Sequence, residues 1–250
     1  MAAIWVTGSA DGIGREVARR LVARGHRVSL HARDDNRAVQ ARAGVPGATG
    51  VLVGDLASLA QVRRLATEAG AFDAVVHNAA YLGRGRERPA SEDGLELTFA
   101  VNVLAPYLLT ALMPRPDRLV YFSSQVHTGG STDLDDLEWR RRPYRGGQAY
   151  DDSKLYVTAL AFAIARRWPG VDSNAVDPGW VRTRMGGASA PTSVEEGAAD
   201  AVRLAAGDEE GTERYLSRRG SARAAVHDLA FQEAVIGACA ERTGVVLPAT

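Results

Sequence analysis

A glycine-rich turn close to the N-terminus constrains the fold of this chain more than any other stretch. A short apolar segment at 2–7 leads into the run Thr7-Gly8-Ser9-Ala10-Asp11-Gly12-Ile13-Gly14, and apolar residues at helical spacing follow over 15–24. Glycines at a strand–turn–helix junction allow a tight turn and a close backbone approach to a phosphate. The N-terminus of the helix adds free N–H groups and the positive end of its dipole. The sequence therefore predicts a dinucleotide-binding turn, with an ordinary strand–helix turn as the alternative.

Strand-like and helix-like segments alternate along most of the chain. Predicted strands, one of them with its turn, cover 2–7, 27–32, 51–56, 72–77, 118–122, 171–176 and 214–216. Predicted helices cover 15–24, 59–69, 92–113, 148–167, 194–206 and 222–242. The short connections imply parallel strands with right-handed crossovers. Since no repeat or change in composition marks a boundary, we expect an α/β fold in one domain, 1–250.

The end of the second predicted strand indicates which dinucleotide binds. This strand ends in Ala32-Arg33-Asp34. A carboxylate at such a position binds the ribose 2′-hydroxyl of NAD, whereas an arginine holds the 2′-phosphate of NADP. Asp34 lies beyond the strand, where it would cap the next helix. We therefore expect NADP(H) to be preferred, and NAD(H) stays open because Asp34 lies about 20 residues past the glycines.

A tyrosine and a lysine lie four residues apart at Tyr150 and Lys154, on one face of a predicted helix. A free tyrosine has a pKa of about 10 and is a poor acid or base at neutral pH. A neighbouring ammonium favours the phenolate and lowers this pKa, which suits general acid/base catalysis. Because this pattern is short, the alternative is that Tyr150 and Lys154 are two neighbouring side chains on the surface of a helix, without a catalytic role.

Charge balance, cysteine count and the lengths of apolar runs indicate which classes of partner and which compartment to expect. Lys+Arg and Asp+Glu number 30 each, so charge gives no reason to expect a nucleic-acid or membrane partner. The single cysteine, Cys239, excludes an intramolecular disulfide and fits a reducing compartment. We see neither a signal peptide nor an apolar run of the ~20 residues that a membrane span needs, and we expect a cytoplasmic protein. His31, His77 and His127 lack metal-ligand spacing, so no metal is expected.

Taken in order, these motifs resemble those of the short-chain dehydrogenase/reductase family in its single-domain form, from Thr7 to about Thr183. The glycine turn matches the family's cofactor loop, and Asp55-Leu56 matches the pair that contacts adenine. His77-Asn78-Ala79-Ala80 departs from the family's Asn-Asn-Ala-Gly at its first and last positions. The catalytic tetrad is matched by Asn102, Ser124, Tyr150 and Lys154, and the segment beside the nicotinamide by Pro178, Gly179, Val181 and Thr183.

The resemblance implies a Rossmann fold, a doubly wound parallel sheet of about seven strands in the order 3-2-1-4-5-6-7. It also implies an oxidoreductase that interconverts a carbonyl and an alcohol. Tyr150 would exchange the proton, Ser124 would hydrogen-bond the reacting oxygen, and Lys154 would lower the pKa of Tyr150 and bind the nicotinamide ribose. Asn102 would position a water that relays protons to Lys154. The implied cofactor contacts are Gly8, Ser9, Ala10, Asp11, Gly12, Ile13, Gly14, Arg33, Asp55, Leu56, Asn78, Ala79, Ala80, Tyr150, Lys154, Pro178, Gly179, Val181 and Thr183.

Within the family, the stretch 122–127 and the separation of 26 residues from Ser124 to Tyr150 resemble the retinol-dehydrogenase-like branch. Two loops, 125–147 and 182–192, are expected to form the substrate pocket. Their aromatic and sulfur side chains suggest a hydrophobic carbonyl or alcohol substrate. Relatives often pair through helices matching 92–113 and 148–167, so a homo-oligomer, dimer or tetramer, is also expected. The alternative function is a catalytically idle NADP(H)-binding sensor on the same fold.

Overall fold

A computed structural model describes residues 1–249 as one parallel sheet of seven strands in the order β3-β2-β1-β4-β5-β6-β7. The strands are β1 (Ala3–Val6), β2 (Arg27–Ala32), β3 (Gly50–Val53), β4 (Ala74–His77), β5 (Arg118–Phe122), β6 (Asp172–Val176) and β7 (Tyr215–Leu216). The predicted fold class and strand order are confirmed. Thr250, the last residue of the predicted domain, lies outside the described residues.

Helices cover both faces of the sheet. They are α1 (Gly12–Ala23), α2 (Asp35–Gly44), α3 (Leu59–Ala69), α4 (Leu97–Phe99), α5 (Ala105–Leu112), α6 (Gly146–Arg167), α7 (Val194–Ala206) and α8 (Leu229–Thr243). Side chains alternate across a strand, so Ile4 and Val6 join the core under α1 and α7, and Trp5 joins the core under α3, α5 and α6. Within residues 1–249, no helix has the length and apolarity needed to cross a membrane.

The helix predicted at 92–113 begins later, at Leu97, because the buried side chain of Glu96 ends the preceding loop. This carboxylate accepts hydrogen bonds from the N–H groups of Thr98 (3.0 Å) and Phe99 (2.7 Å), as an N-cap does. The helix then widens into a π-helical segment at Ala100–Leu104, which periodicity did not predict. Such segments are frequent at functional sites, and this one carries Asn102.

Two other boundaries also differ from the prediction. The loop expected at 125–147 opens with a 3₁₀ helix, Gln125–Gly129. The helix expected at 222–242 is divided into a 3₁₀ turn, Ala224–His227, and α8. Asp228 causes the break, because its carboxylate caps α8 by accepting a hydrogen bond from Ala230 N at 2.8 Å.

The C-terminal residues cover part of α5 and α6. Helix α8 packs along α6 in the larger core. Beyond it, Val245 O accepts a hydrogen bond from the Tyr107 hydroxyl at 2.7 Å, and Pro248 O accepts one from Trp168 Nε1 at 2.9 Å. Pairing of two copies through these helices stays a prediction, and the C-terminal residues of the same chain already cover part of their surface.

Candidate active site

A cleft of about 640 Å³ opens at the carboxyl ends of the strands, where ligands bind in sheets of this kind. Many of the predicted site residues form its wall, namely Gly8, Ala10, Asp11, Gly12, Ile13, Arg33, Asp55, Leu56, Asn78, Ala79, Ala80, Tyr150, Lys154, Pro178 and Thr183. The fold therefore brings the glycine turn, the end of β2 and the Tyr–Lys pair into one site. The other predicted residues are not part of this wall, namely Ser9, Gly14, Asn102, Ser124, Gly179 and Val181.

The glycine turn is fastened to the end of β4 by close packing. Gly8 has a φ of +62°, and a Cβ there would lie 2.8 Å from Ala79 Cα. A Cβ on Gly14 would lie 2.3 Å from Asn78 Nδ2. This amide donates hydrogen bonds to the carbonyls of Thr7 (2.9 Å) and Gly8 (3.1 Å). Gly14 is thus required for the contact between α1 and β4 and does not itself form the cleft wall.

The first turn of α1 faces the cleft. Among residues 1–249, no side chain caps the N-terminus of this helix. Asp11 occupies the N-cap position in an extended conformation, yet its carboxylate does not cap the helix. It instead accepts a hydrogen bond from Arg37 Nη2 at 2.6 Å. The N–H groups at the start of α1 are therefore available to an anion, and Gly12 and Ile13 belong to the cleft wall. These features fit the diphosphate of a dinucleotide.

Two arginines follow β2 at one end of the cleft. Arg33 and Arg37 both belong to its wall. The Asp34 carboxylate accepts hydrogen bonds from Arg37 N at 2.8 Å and Arg33 Nε at 3.2 Å, so it caps α2 as the alternative predicted. Sequence reasoning missed Arg37, although its position one helical turn beyond Arg33 is a usable signal.

A buried histidine, also missed as a site residue, supports the glycine turn from behind. His31 Nδ1 accepts a hydrogen bond from Gly8 N at 3.0 Å, and its Nε2 lies 2.9 Å from Gly54 O. Burial lowers the pKa of His31 to about 4, so the ring is neutral at pH 7. Ser9, which is also buried, accepts a hydrogen bond from His31 N at 2.8 Å. Ser9 and His31 therefore hold the turn in shape.

The Tyr–Lys pair lies on α6 at the opposite end of the cleft. Lys154 is buried, and its ammonium donates a hydrogen bond to Phe122 O at 2.7 Å and lies 5.3 Å from the centroid of the Tyr150 ring. Burial lowers the pKa of Lys154 to about 8. Burial also raises the pKa of Tyr150, and the charges of Asp151 and Asp177 raise it further. The lowering expected from Lys154 is not seen, because burial disfavours the phenolate and is the largest influence on this pKa.

Two adjacent serines end β5, and their hydroxyl groups have different environments. The hydroxyl of Ser123 is 2.6 Å from Thr158 Oγ1 in the core. Ser124 is the N-cap residue of the 3₁₀ helix at Gln125–Gly129, with φ −169° and ψ 152°, but its hydroxyl does not cap that helix. Ser124 is therefore the serine whose hydroxyl remains available for chemistry, although Ser123 is the one that borders the cleft.

Asn102 connects the π-helical segment to α6 and to the cleft wall. Its amide group accepts a hydrogen bond from Tyr81 N (2.7 Å) and donates one to Tyr81 O (2.9 Å). A third hydrogen bond, at 2.9 Å, runs from Asn102 Nδ2 to Ser153 Oγ beside Lys154 in the sequence. Asn102 thus fixes the backbone of a cleft residue, and its side chain reaches α6 through Ser153.

The segment after β6 curves over the Tyr150 hydroxyl. Gly179, with a φ of +82°, forms the turn, and Val181 is buried against Gly197 of α7. Met185 then places its Sδ 4.0 Å from Tyr150 Oη. The predicted pocket loop 182–192 therefore contributes to the cleft wall.

The second predicted pocket loop, 125–147, supplies none of the cleft wall among the described residues. Trp139 and Tyr144 are buried against each other, with ring centroids 5.6 Å apart. The Tyr144 hydroxyl donates a hydrogen bond to Glu96 Oε1 at 3.0 Å. These contacts fix the loop to the body of the protein. The cleft wall instead takes apolar side chains from elsewhere in the chain, among them Leu82, Leu97, Val101 and Met185.

Comparisons with known proteins place this geometry in context. A family model described as "Enoyl-(Acyl carrier protein) reductase" matches residues 8–214. The short-chain dehydrogenase chyC of Penicillium rubens is 42% identical over 261 residues, which covers 100% of both chains. Human retinol dehydrogenase 13 is 34% identical over 198 residues, covering 72% of this chain and 59% of its own length. A crystal structure of an uncharacterized protein from Mycobacterium paratuberculosis superposes with a TM-score of 0.87 at 26% identity, covering 99% of this chain and 95% of the other.

Proposed function

Because this chain belongs to the short-chain dehydrogenase/reductase family, whose members act on CH–OH and C=O groups, we propose that it is an NADP(H)-dependent carbonyl reductase with Tyr150 as general acid/base. The family binds nicotinamide dinucleotides, and its relatives here include retinol dehydrogenases, as the predicted branch implies. One observation supports the proposal most directly. Tyr150 and Lys154 belong to the same cleft wall as the uncapped start of α1. The idle-sensor alternative is not favoured.

The cleft residues suggest how NADP(H) is held. The first turn of α1 would bind the diphosphate, and Asp55 and Leu56 would contact the adenine. Arg33 and Arg37 would bind the 2′-phosphate, since the nearby Asp34 carboxylate is already used as a helix cap. The segments 78–80 and 178–183 would surround the nicotinamide.

Bound NADPH supplies the hydride for carbonyl reduction. The raised pKa of Tyr150 keeps its hydroxyl protonated at neutral pH, so Tyr150 can donate the proton to the carbonyl oxygen. The free hydroxyl of Ser124 would hydrogen-bond that oxygen and stabilise its developing negative charge. Lys154 would bind the nicotinamide ribose, and Asn102 would order the proton relay behind Tyr150. The apolar side chains in the same cleft wall as Tyr150 favour a hydrophobic carbonyl compound or alcohol.

A fluorescence titration of the purified protein with NADPH and NADH tests the cofactor assignment. We expect tighter binding of NADPH, and Arg33→Ala should weaken it roughly tenfold without changing NADH binding, because one charge-assisted hydrogen bond is lost. Arg42→Ala is the matched control, since Arg42 is exposed on α2 and outside the cleft wall. Equal or tighter binding of NADH would refute the assignment of Arg33, and binding of neither would refute the dinucleotide site.

A turnover assay over a panel of hydrophobic ketones and aldehydes tests the catalytic assignment. Tyr150→Phe should lower turnover by about 10²–10⁴ while NADPH binding stays close to that of the original protein. Tyr156→Phe is the control on the same helix, because the buried Tyr156 hydroxyl has no hydrogen-bond partner among residues 1–249. Normal turnover in Tyr150→Phe would refute the proposed mechanism.

A further inference from the structure

One histidine without a role in the proposed mechanism is completely buried next to Ser124. His127 lies in the 3₁₀ helix at Gln125–Gly129 and has no exposed surface. Its Nδ1 is 2.8 Å from Ser124 O and 3.3 Å from the Tyr215 hydroxyl. Its Nε2 accepts a hydrogen bond from Arg223 N at 2.9 Å. Both ring nitrogens are therefore engaged. Nδ1 contacts the end of β5 and Tyr215, and Nε2 contacts Arg223.

These contacts determine where the imidazole carries its proton. A backbone N–H can only donate, so the Nε2 that receives the Arg223 N–H has no proton. Burial lowers the pKa of His127 below its ordinary value, which favours the neutral ring. The single proton then lies on Nδ1 and is donated to Ser124 O.

The carbonyl of Ser124 receives a second hydrogen bond from the same residue, because His127 N donates to it at 3.0 Å. Two donors on one oxygen fix the peptide plane that follows Ser124. The backbone of Ser124 therefore has a defined orientation at the end of β5, and the Ser124 hydroxyl does not cap the helix that follows.

The same ring joins Ser124 to the C-terminal part of the chain. The Tyr215 ring packs on His127 with centroids 4.8 Å apart, and the Arg223 guanidinium donates a hydrogen bond to Gly130 O. We propose that His127 is a positioning residue, which holds the Ser124 hydroxyl in its reactive orientation and fastens residues 215–223 to the active site. This inference rests on the role proposed above for Ser124.

Two substitutions separate the two hydrogen bonds of the ring. In His127→Asn the amide can replace the Nδ1 donor to Ser124 O, whereas in His127→Gln it can replace the Nε2 acceptor of Arg223 N–H. We expect His127→Asn to retain kcat within about threefold and His127→Gln to lose roughly 10- to 100-fold, the scale of a misplaced reacting group. NADPH binding should stay unchanged in both. An equal loss of kcat in the two variants would overturn the inference.

The double variant His127→Gln/Ser124→Ala shows whether His127 acts through Ser124. It should be no slower than Ser124→Ala alone, because residues that act as a unit have non-additive effects. Losses that multiply would mean that His127 supports the fold generally, and would overturn the positioning role.

The hydrogen bonds can also be measured without any turnover. In the 250-residue protein labelled with ¹⁵N-histidine, the signal that disappears in His127→Asn should be that of a neutral ring protonated on Nδ1. A ring protonated on Nε2 would refute the inference even if all variants were active. If the original protein binds NADPH but reduces no carbonyl compound, the proposed function fails, and the positioning role for catalysis fails with it.

Discussion

Replacing the buried Lys154 by methionine should stabilise the protein while abolishing its activity. Lys154 is the only lysine in the 250-residue chain, and burial lowers its pKa from 10.5 to about 8. This gap corresponds to about 3 kcal/mol of destabilisation at pH 7. Losing the hydrogen bond to Phe122 O costs about 1 kcal/mol, so the net gain is about 2 kcal/mol. For a chain of this size, that gain raises Tm by about 4–8 °C.

The gain should depend on pH in a defined direction. Because the pKa is lower in the folded state, the unfolded chain binds more protons between the two pKa values, and stability rises with pH there. The penalty of Lys154 is fully present below pH 8 and disappears as the pH approaches 10.5. The advantage of Lys154→Met should therefore shrink by about 2 kcal/mol between pH 7 and pH 9.5.

Denaturant unfolding of both proteins without NADPH, at pH 7 and pH 9.5, measures this difference. Arg42→Met serves as the control, since loss of an exposed charge changes stability by no more than about 0.5 kcal/mol. Because the chain has one lysine, ¹³C-lysine labelling gives a single side-chain signal whose titration reports the Lys154 pKa directly. A pKa near 10.5, or a less stable Lys154→Met protein at pH 7, would refute the reasoning.

Two further substitutions test the packing of the glycine turn and the charge around the tyrosine. Gly14→Ala should lower the free energy of unfolding by about 1–3 kcal/mol, because its Cβ would lie 2.3 Å from Asn78 Nδ2. Gly237→Ala, on α8 with open space around it, should raise stability by up to about 1 kcal/mol, and equal effects in urea unfolding would contradict the model of packing. Asp151→Asn removes a charge that raises the pKa of Tyr150, so the pH profile of alcohol oxidation should move to lower pH. An unchanged or upward-shifted profile would show that Asp151 does not act on Tyr150.

The parts of this protein that the sequence predicted are those encoded by local patterns. The strand order was implied by the family resemblance and is confirmed. The parallel strands follow from alternating apolar segments and the glycine turn, and the capping role of Asp34 follows from its place after β2. Such features depend on neighbours within a few residues. The start of the helix at Leu97 was less predictable, because the Glu96 cap is also held by a hydrogen bond from Tyr144 in a loop distant in sequence.

The shift in the pKa of Tyr150 is a property that the local sequence pattern did not predict correctly. Spacing places Lys154 one turn from Tyr150 and suggests a lowered pKa. Burial decides otherwise, since it disfavours both the ammonium and the phenolate. Burial depends on the whole fold, so residues 150–154 alone could not have shown whether the pKa of Tyr150 is raised or lowered. The π-helical segment around Asn102 was unpredictable for a similar reason. The Asn102 side chain forms hydrogen bonds with Tyr81 and Ser153, which are distant in sequence.

Two histidines for which the sequence predicted no metal-binding role have the same structural role at two points of the site. Each neutral ring pairs one backbone N–H with one backbone C=O. His31 accepts from Gly8 N with Nδ1, so its proton lies on Nε2 and is donated to Gly54 O. His127 has the opposite arrangement, accepting with Nε2 and donating from Nδ1 to Ser124 O. A neutral buried imidazole suits this task because it pairs one N–H and one C=O without burying a charge. The ¹⁵N spectrum that tests His127 should therefore show His31 as the opposite tautomer, and two identical tautomers would refute the assignment of at least one ring.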